Sequence, residues 1–162
     1  MAEPERAYVA ALRLLARREL SEAQVRTRLS KRTFEEEEID AAVTRLRRER
    51  ALDDHRTALA CARTEVRIKH RGRARVVRQI EALGISRDIA REAVADVFGE
   101  LDEGALLEQA LDRRLRHASL KDPIVRRRIH RYLLGQGFDP ARVTALLRRR
   151  LRNHEPEEPE EP

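Results

Sequence analysis

Five histidines and one cysteine are the side chains here best able to hold a metal or attack a substrate, and their spacing supports neither. His55, His70, His117, His130 and His154 are scattered, with no HExxH pair and no Cys/His cluster, so no ligand set converges on a metal. Cys61 sits between Ala58 and Ala62 on an apolar helical stripe, where a small buried thiol is expected rather than a nucleophile. Gly99 and Gly104 have the gap of a phosphate-binding loop, but Ala105-Leu106 follows instead of Lys-Ser/Thr and no strand precedes. Gly135-Gln136-Gly137 lacks the third glycine and the strand of a dinucleotide site. Asp53-Asp54 reads as a helix cap. No catalytic, cofactor or metal site is expected, so the function must be binding.

The remaining chemistry is cationic. Arg67, Lys69, Arg71, Arg73 and Arg75 crowd a helix junction around Gly72, either as a solvated charge run or as phosphate contacts. Arg126, Arg127, Arg128 and Arg131 surround the apolar stripe of one late helix, and Arg148, Arg149, Arg150 and Arg152 end the last one. Residues 102–152 carry 13 lysines and arginines against 6 acids, whereas 1–52 carry 12 against 10 and 53–101 carry 10 against 8. Residues 153–162 hold five glutamates and no Lys or Arg. A polyanion, or a complex containing one, is the natural partner of the basic third segment.

These cations need helices to position them. In Gly72–Phe98, Val76, Ile80 and Leu83 form one helical seam. Gly84 then suits a left-handed C-terminal cap, Ile85 is a lone apolar residue, Ser86 can cap, and Ile89, Ala93 and Val97 form a second seam. The same order recurs with Val125, Ile129, Leu133, Gly137, Phe138, Asp139, Val143 and Leu147. It recurs in weaker form with Val25, Leu29, Thr33, Phe34, Glu35, Ile39, Val43 and Leu46, where Thr33 replaces Gly and Glu35 replaces Ser or Asp. Phe34, Ile85 and Phe138 are equivalent.

A further helix precedes each hairpin, over Tyr8–Arg18, Asp53–Lys69 and Glu103–Arg116. The first is expected from about Ala7 after a frayed lead-in, with Tyr8, Leu12 and Leu15 inward. Ser21 with Gln24 forms a capping box, and Asp122-Pro123 and Asp139-Pro140 are cap and first-turn pairs. Glu35–Glu38 sit where a helix dipole favours acids, although an acidic functional patch is the other reading.

The chain is thus expected to be all-α, three tandem three-helix repeats over residues 7–52, 53–101 and 102–152, followed by a disordered acidic Pro/Glu tail at 153–162. With 3% aromatic residues in 162, and no Trp, the cores must be aliphatic. The single cysteine excludes an internal disulfide, and no stretch is long and apolar enough to span a bilayer, so a soluble cytoplasmic monomer is expected.

Leu12, Leu15, Ala16, Arg17, Arg18 and Ser21, then Leu52-Asp53-Asp54, Gly72 with Ile80, and Leu83-Gly84-Ile85 resemble the RecX family in order and spacing. The resemblance covers roughly residues 7–151. Two positions depart from the family pattern: Thr57 stands where an aromatic is usual, and Thr33 where Gly is. The resemblance implies an elongated, curved helical array that binds RecA–DNA filaments. It would occupy the filament groove or block extension, and so suppress recombinase, ATPase and coprotease activity. Single- or double-stranded DNA would be touched as part of the filament. The alternative is a helical module that contacts nucleic-acid backbone directly. On either reading the residues expected to carry attraction are Arg67, Lys69, Arg71, Arg73, Arg75, Arg126, Arg127, Arg128, Arg131, Arg148 and Arg149.

Overall fold

Every regular element among the described residues is a helix, because the buried apolar residues of each element recur at three and four positions. A computed structural model describes residues 3–115 and 119–153. Among them are nine helices and no strand: α1 Glu3–Leu15, α2 Glu22–Ser30, α3 Glu36–Arg48, α4 Asp54–Arg67, α5 Arg73–Glu81, α6 Arg87–Gly99, α7 Glu103–Leu115, α8 Pro123–Gly135 and α9 Pro140–Arg152. The expected disorder of the acidic tail, and Arg116, His117 and His154, lie outside the described residues. None of these helices is long and apolar enough to cross a membrane.

The chain packs as two compact units. One comprises residues up to Thr64 with Val77–Val97, and the other Glu65–Val76 with residues from Phe98 onward. In the first, α1 and α2 pack on α3 around Ala11, Leu20, Val25, Leu29, Ile39, Val43, Leu46 and Leu52. In the second, α7, α8 and α9 enclose Leu107, Ala110, Leu111, Leu120, Ile129, Leu133, Val143, Leu146 and Leu147.

The caps follow local chemistry. Gln24 N–H donates to Ser21 Oγ at 3.2 Å, and Ser21 N–H donates back to Gln24 Oε1 at 3.3 Å. Ser21 is fully buried, and its hydroxyl donates to the Leu83 carbonyl. Asp122 accepts from Ile124 N–H at 2.8 Å and Asp139 from Arg142 N–H at 2.9 Å, each with proline opening the helix. Glu38 accepts the Glu35 N–H at 2.8 Å, so the acidic run closes the start of its own helix.

The three hairpin turns share one backbone device. Thr33, Gly84 and Gly137 have φ of 61°, 80° and 89°. Gly84 is needed twice over, since an added Cβ would also fall on the Ala23 side chain. Thr33 adopts the same conformation with a branched Cβ, its hydroxyl donating to the Arg32 carbonyl at 2.6 Å and its N–H to the Ser30 carbonyl at 3.1 Å. Thr33→Gly is expected to raise stability by about 1 kcal/mol, because the left-handed penalty exceeds the entropy that glycine adds to the unfolded chain. Thermal melting reads this, and a lower midpoint would contradict it.

Four details differ from the sequence reading. Helix α1 starts at Glu3, because Pro4 in its first turn lacks only an N–H that has no partner there anyway. Its buried residues are Ala7 and Ala11, with Tyr8, Leu12 and Leu15 half-buried beside them. In α6 the seam is broader than Ile89, Ala93 and Val97: Ala90, Val94 and Phe98 are buried and Ile89 is only half-buried. Cys61 is also only half-buried, because Ala58, Ala62 and Val66 mark the buried line of α4 and Cys61 lies about 60° round from Ala58.

The α1–α3 contact carries a titratable link. Tyr8 Oη donates to Glu49 Oε2 at 2.6 Å, and the Arg45 guanidinium lies 3.7 Å from the Tyr8 ring centroid. That hydrogen bond, and then the one from Arg45, hold the Glu49 carboxyl below the ordinary carboxylate range. A depressed pKa means the link is present above the unfolded value and is lost as pH falls through the folded one. Tyr8→Phe is expected to move Glu49 back towards an ordinary titration midpoint, read by NMR of the side-chain carbonyl. An unmoved midpoint would assign the depression to the arginines alone.

Candidate functional site

The arginines divide by what already holds them. At the α4–α5 junction, Glu65 is buried at 5% exposure and would be costly there without counter-charges. Lys69 Nζ lies 2.6 Å from Glu65 Oε1, and Arg71, itself 17% exposed, pairs with the other oxygen. His70, three residues past the end of α4, has φ 52°, its N–H donating to the Val66 carbonyl at 3.0 Å. Arg75 is half-buried and donates to the Gly135 carbonyl at 2.9 Å, while its Nε is buried without a hydrogen-bond partner among the described residues. Arg73 lies 2.5 Å from Glu103 and 4.8 Å from the Phe98 ring centroid. The junction is thus largely a clasp, and only Arg67 there is exposed with no ion pair among the described residues.

The clasp holds because two glycines let backbones touch. Gly72 N–H donates to the Gln136 carbonyl at 2.9 Å, and Ala74 N–H to the Gly137 carbonyl at 3.3 Å. A Cβ on Gly72 would collide with the Gly137 carbonyl, and one on Gly137 with the Arg75 backbone.

A different arrangement lies between α8 and α9. Their antiparallel packing leaves an open groove of about 480 Å³. Its walls are Arg126, Arg127, Arg131 and Arg148 with His130; its floor is Leu134, Leu147 and Leu151 with Thr144. Arg126 donates to the Leu120 carbonyl at 3.3 Å and Arg127 to the Pro123 carbonyl at 3.3 Å. His130 Nε2 lies 3.4 Å from Thr144 Oγ1. No carboxylate lines this groove, and none of its four arginines has an ion pair among the described residues. Four cations without counter-charge at one concave surface favour an anionic occupant.

The groove gathers Arg126, Arg127, Arg131 and Arg148, and excludes other residues named from the sequence. Arg128 lies about 100° round α8 from Ile129, on the Tyr132 flank. Arg149 is paired with Glu108, and Arg150 lies 2.8 Å from Asp112 and 3.3 Å from Glu108. His130, Thr144, Leu134 and Leu151 are groove residues that the cation pattern missed. The spacing of Arg126, His130 and Leu134 by four places them on one helical face and could have found two of them. On the opposite flank a second, smaller cluster gathers Lys69, His70, Arg113 and Arg114 beside Tyr132. It is more occupied: Arg113 donates to the Ile68 carbonyl at 3.1 Å and lies 2.9 Å from His70 Nδ1, and Arg114 lies 5.0 Å from the Tyr132 ring centroid. Among the described residues no group of three or more His, Cys, Asp or Glu side chains could hold a metal ion.

Residues 7–46 match the family described as RecX, first three-helix domain. A regulatory protein RecX from Syntrophotalea carbinolica is 34% identical over 146 residues, covering 87% of this chain and 94% of that protein. One from Pelodictyon phaeoclathratiforme is 28% identical over 141 residues, covering 85% of this chain and 84% of that protein. The crystal structure of RecX from Lactobacillus salivarius shares the fold, with a TM-score of 0.73 at 21% identity over 93% of this chain and 97% of that one. A second crystal structure, of a regulatory protein RecX, gives a TM-score of 0.76 at 20% identity over 91% of this chain and 72% of that one.

Proposed function

The chain belongs to the RecX family, and from that premise we propose that it regulates RecA by binding the RecA–DNA filament and suppressing its recombinase, ATPase and coprotease activities. It acts as a binding protein, without catalysis of its own, and as a monomer in the cytoplasm. The single observation that supports this most is the α8–α9 groove, whose four arginines face no carboxylate among the described residues. A filament presents anionic surface repeatedly along its length. A helical array can touch neighbouring protomers in succession, each contact raising the local concentration for the next. Arg126, Arg127, Arg131 and Arg148 carry the attraction, and Arg71, Arg73 and Arg75 support it by holding the helices in place. The test is RecA ATPase on single-stranded DNA with and without this protein, at several salt concentrations. Undiminished hydrolysis at saturating protein would end the proposal.

The same cations favour one competing reading, direct binding to nucleic-acid backbone. Such binding weakens with salt at a slope of about −0.7 to −0.9 in log K against log salt for each phosphate neutralised. Suppression of RecA that persists at salt where naked DNA no longer binds distinguishes the filament from the DNA.

A further inference from the structure

The groove between α8 and α9 is not simply cationic. Leu134, Leu147 and Leu151 form its floor, and the arginines stand beside them. A phosphodiester chain would use the walls and leave that floor wet. A nucleobase would call for a Phe, Tyr or Trp platform, and none lines the groove; its one ring, His130, is engaged with Thr144 at 3.4 Å. Of its lining residues only Arg126, the fourth of α8, belongs to a first turn, and the N–H groups of Ile124 and Arg126 there already donate to Asp122 at 2.8 and 2.9 Å. The occupant that satisfies floor and walls together carries apolar side chains flanked by carboxylates.

We propose that the α8–α9 groove is a docking site for an acidic amphipathic helix of a protein partner, with leucine-type side chains on the Leu134–Leu147–Leu151 floor and Asp or Glu paired with Arg127, Arg131 and Arg148. Arg127 and Arg131 stand one helical turn apart, about 6 Å along α8. Carboxylates at i and i+4 of a helix laid alongside have the same rise, so each meets its own guanidinium. The apolar anchor and charged rim follow the general pattern of helix-in-groove recognition. The chain's own acidic stretch, residues 155–162, contains Glu and Pro but no Leu, Ile, Val, Met or Phe, and so cannot fill the floor.

The inference rests on the protein-partner reading above and narrows it to one site and one chemistry. Its test uses the full chain and three fluorescent probes: a helical peptide about five turns long with Glu on its flanks and Leu on one face, the same peptide with Ser for Leu, and a dT oligonucleotide of equal charge. At ~0.15 M salt the Leu peptide is expected to bind about tenfold more tightly than the Ser peptide. Leu134→Ser is expected to erase that preference and leave oligonucleotide binding within about twofold, whereas Arg131→Glu weakens the Leu peptide about tenfold. Equal binding of the two peptides to the unaltered protein overturns the inference, and needs no variant to fold. An oligonucleotide bound more tightly than the Leu peptide, and released by Arg131→Glu, assigns the groove to nucleic acid instead. Peptide binding only after removal of residues 155–162 assigns it to the chain's own acidic stretch and also overturns it. Equal binding of the two peptides to the unaltered protein, alongside intact suppression of RecA ATPase, would sink this inference and leave the filament reading standing.

Discussion

Gly137→Ala is expected to destabilise the C-terminal unit by about 2–4 kcal/mol, the sum of a left-handed backbone penalty and an overpacking cost. Gly137 has φ 89°, a region that a Cβ disfavours. The new methyl would also meet the backbone nitrogen and Cα of Arg75, which cannot swing aside as a flexible side chain could. Gly72→Ala separates the two causes. Gly72 is not among the positive-φ residues, so its cost is steric alone, from collision with the Gly137 carbonyl and Phe138 nitrogen. The two changes act on one backbone contact and are expected to be less than additive when combined. Gly135→Ala, two residues away, has nothing within 4 Å of its added Cβ and lies in the last turn of α8. It is expected to be neutral or to stabilise by up to about 1 kcal/mol. Urea midpoints of the three variants check the set. A Gly137→Ala variant as stable as Gly135→Ala would mean that the two turns do not meet as described.

Charge reversal in the groove has the larger functional consequence. The triple change Arg126→Glu, Arg131→Glu, Arg148→Glu is expected to reduce suppression of RecA ATPase by about 100-fold or more in effective concentration, since each repulsive contact replaces an attractive one. Little stability should be lost, because none of the three arginines has an ion pair among the described residues and surface charges contribute little. Arg128→Glu is the informative control. It lies outside the groove on the other flank of α8, so it lowers net charge while leaving the groove intact. Its effect is expected to stay within about threefold, the size of a general steering effect. Loss of suppression by Arg128→Glu equal to that of a single groove reversal would show that net charge, not the groove, carries the interaction. Arg71→Glu is unsuitable for this comparison, because it would place a second carboxylate beside buried Glu65 and break the clasp.

Much of the fold was legible because its signals act within a few residues. Ser21 with Gln24, Asp122 with Pro123 and Asp139 with Pro140 name their helix starts, since a cap bonds to an N–H two or three positions on. The left-handed turns at Gly84 and Gly137, and even at Thr33, could be placed from the seams on either side. What misled were weak local signals with strong packing consequences. Ala7 and Ala11 are too small to stand out as core, yet they bury completely where helices approach closely, and the larger Tyr8, Leu12 and Leu15 lean in from the sides.

The sequence by itself determined that this chain is helical, that its turns recur, and that positive charge gathers in the last third, because periodicity, capping and composition require no knowledge of distant neighbours. Only the tertiary structure decided which arginines are available. Arg75 meets a carbonyl sixty residues away and Arg149 a carboxylate forty-one residues away, whereas Arg126, Arg127, Arg131 and Arg148 come together without one. An arginine's run of neighbours in the chain cannot reveal this. Its guanidinium extends well beyond its own helical turn, so its partner is chosen by whatever other helix the core packing brings within reach.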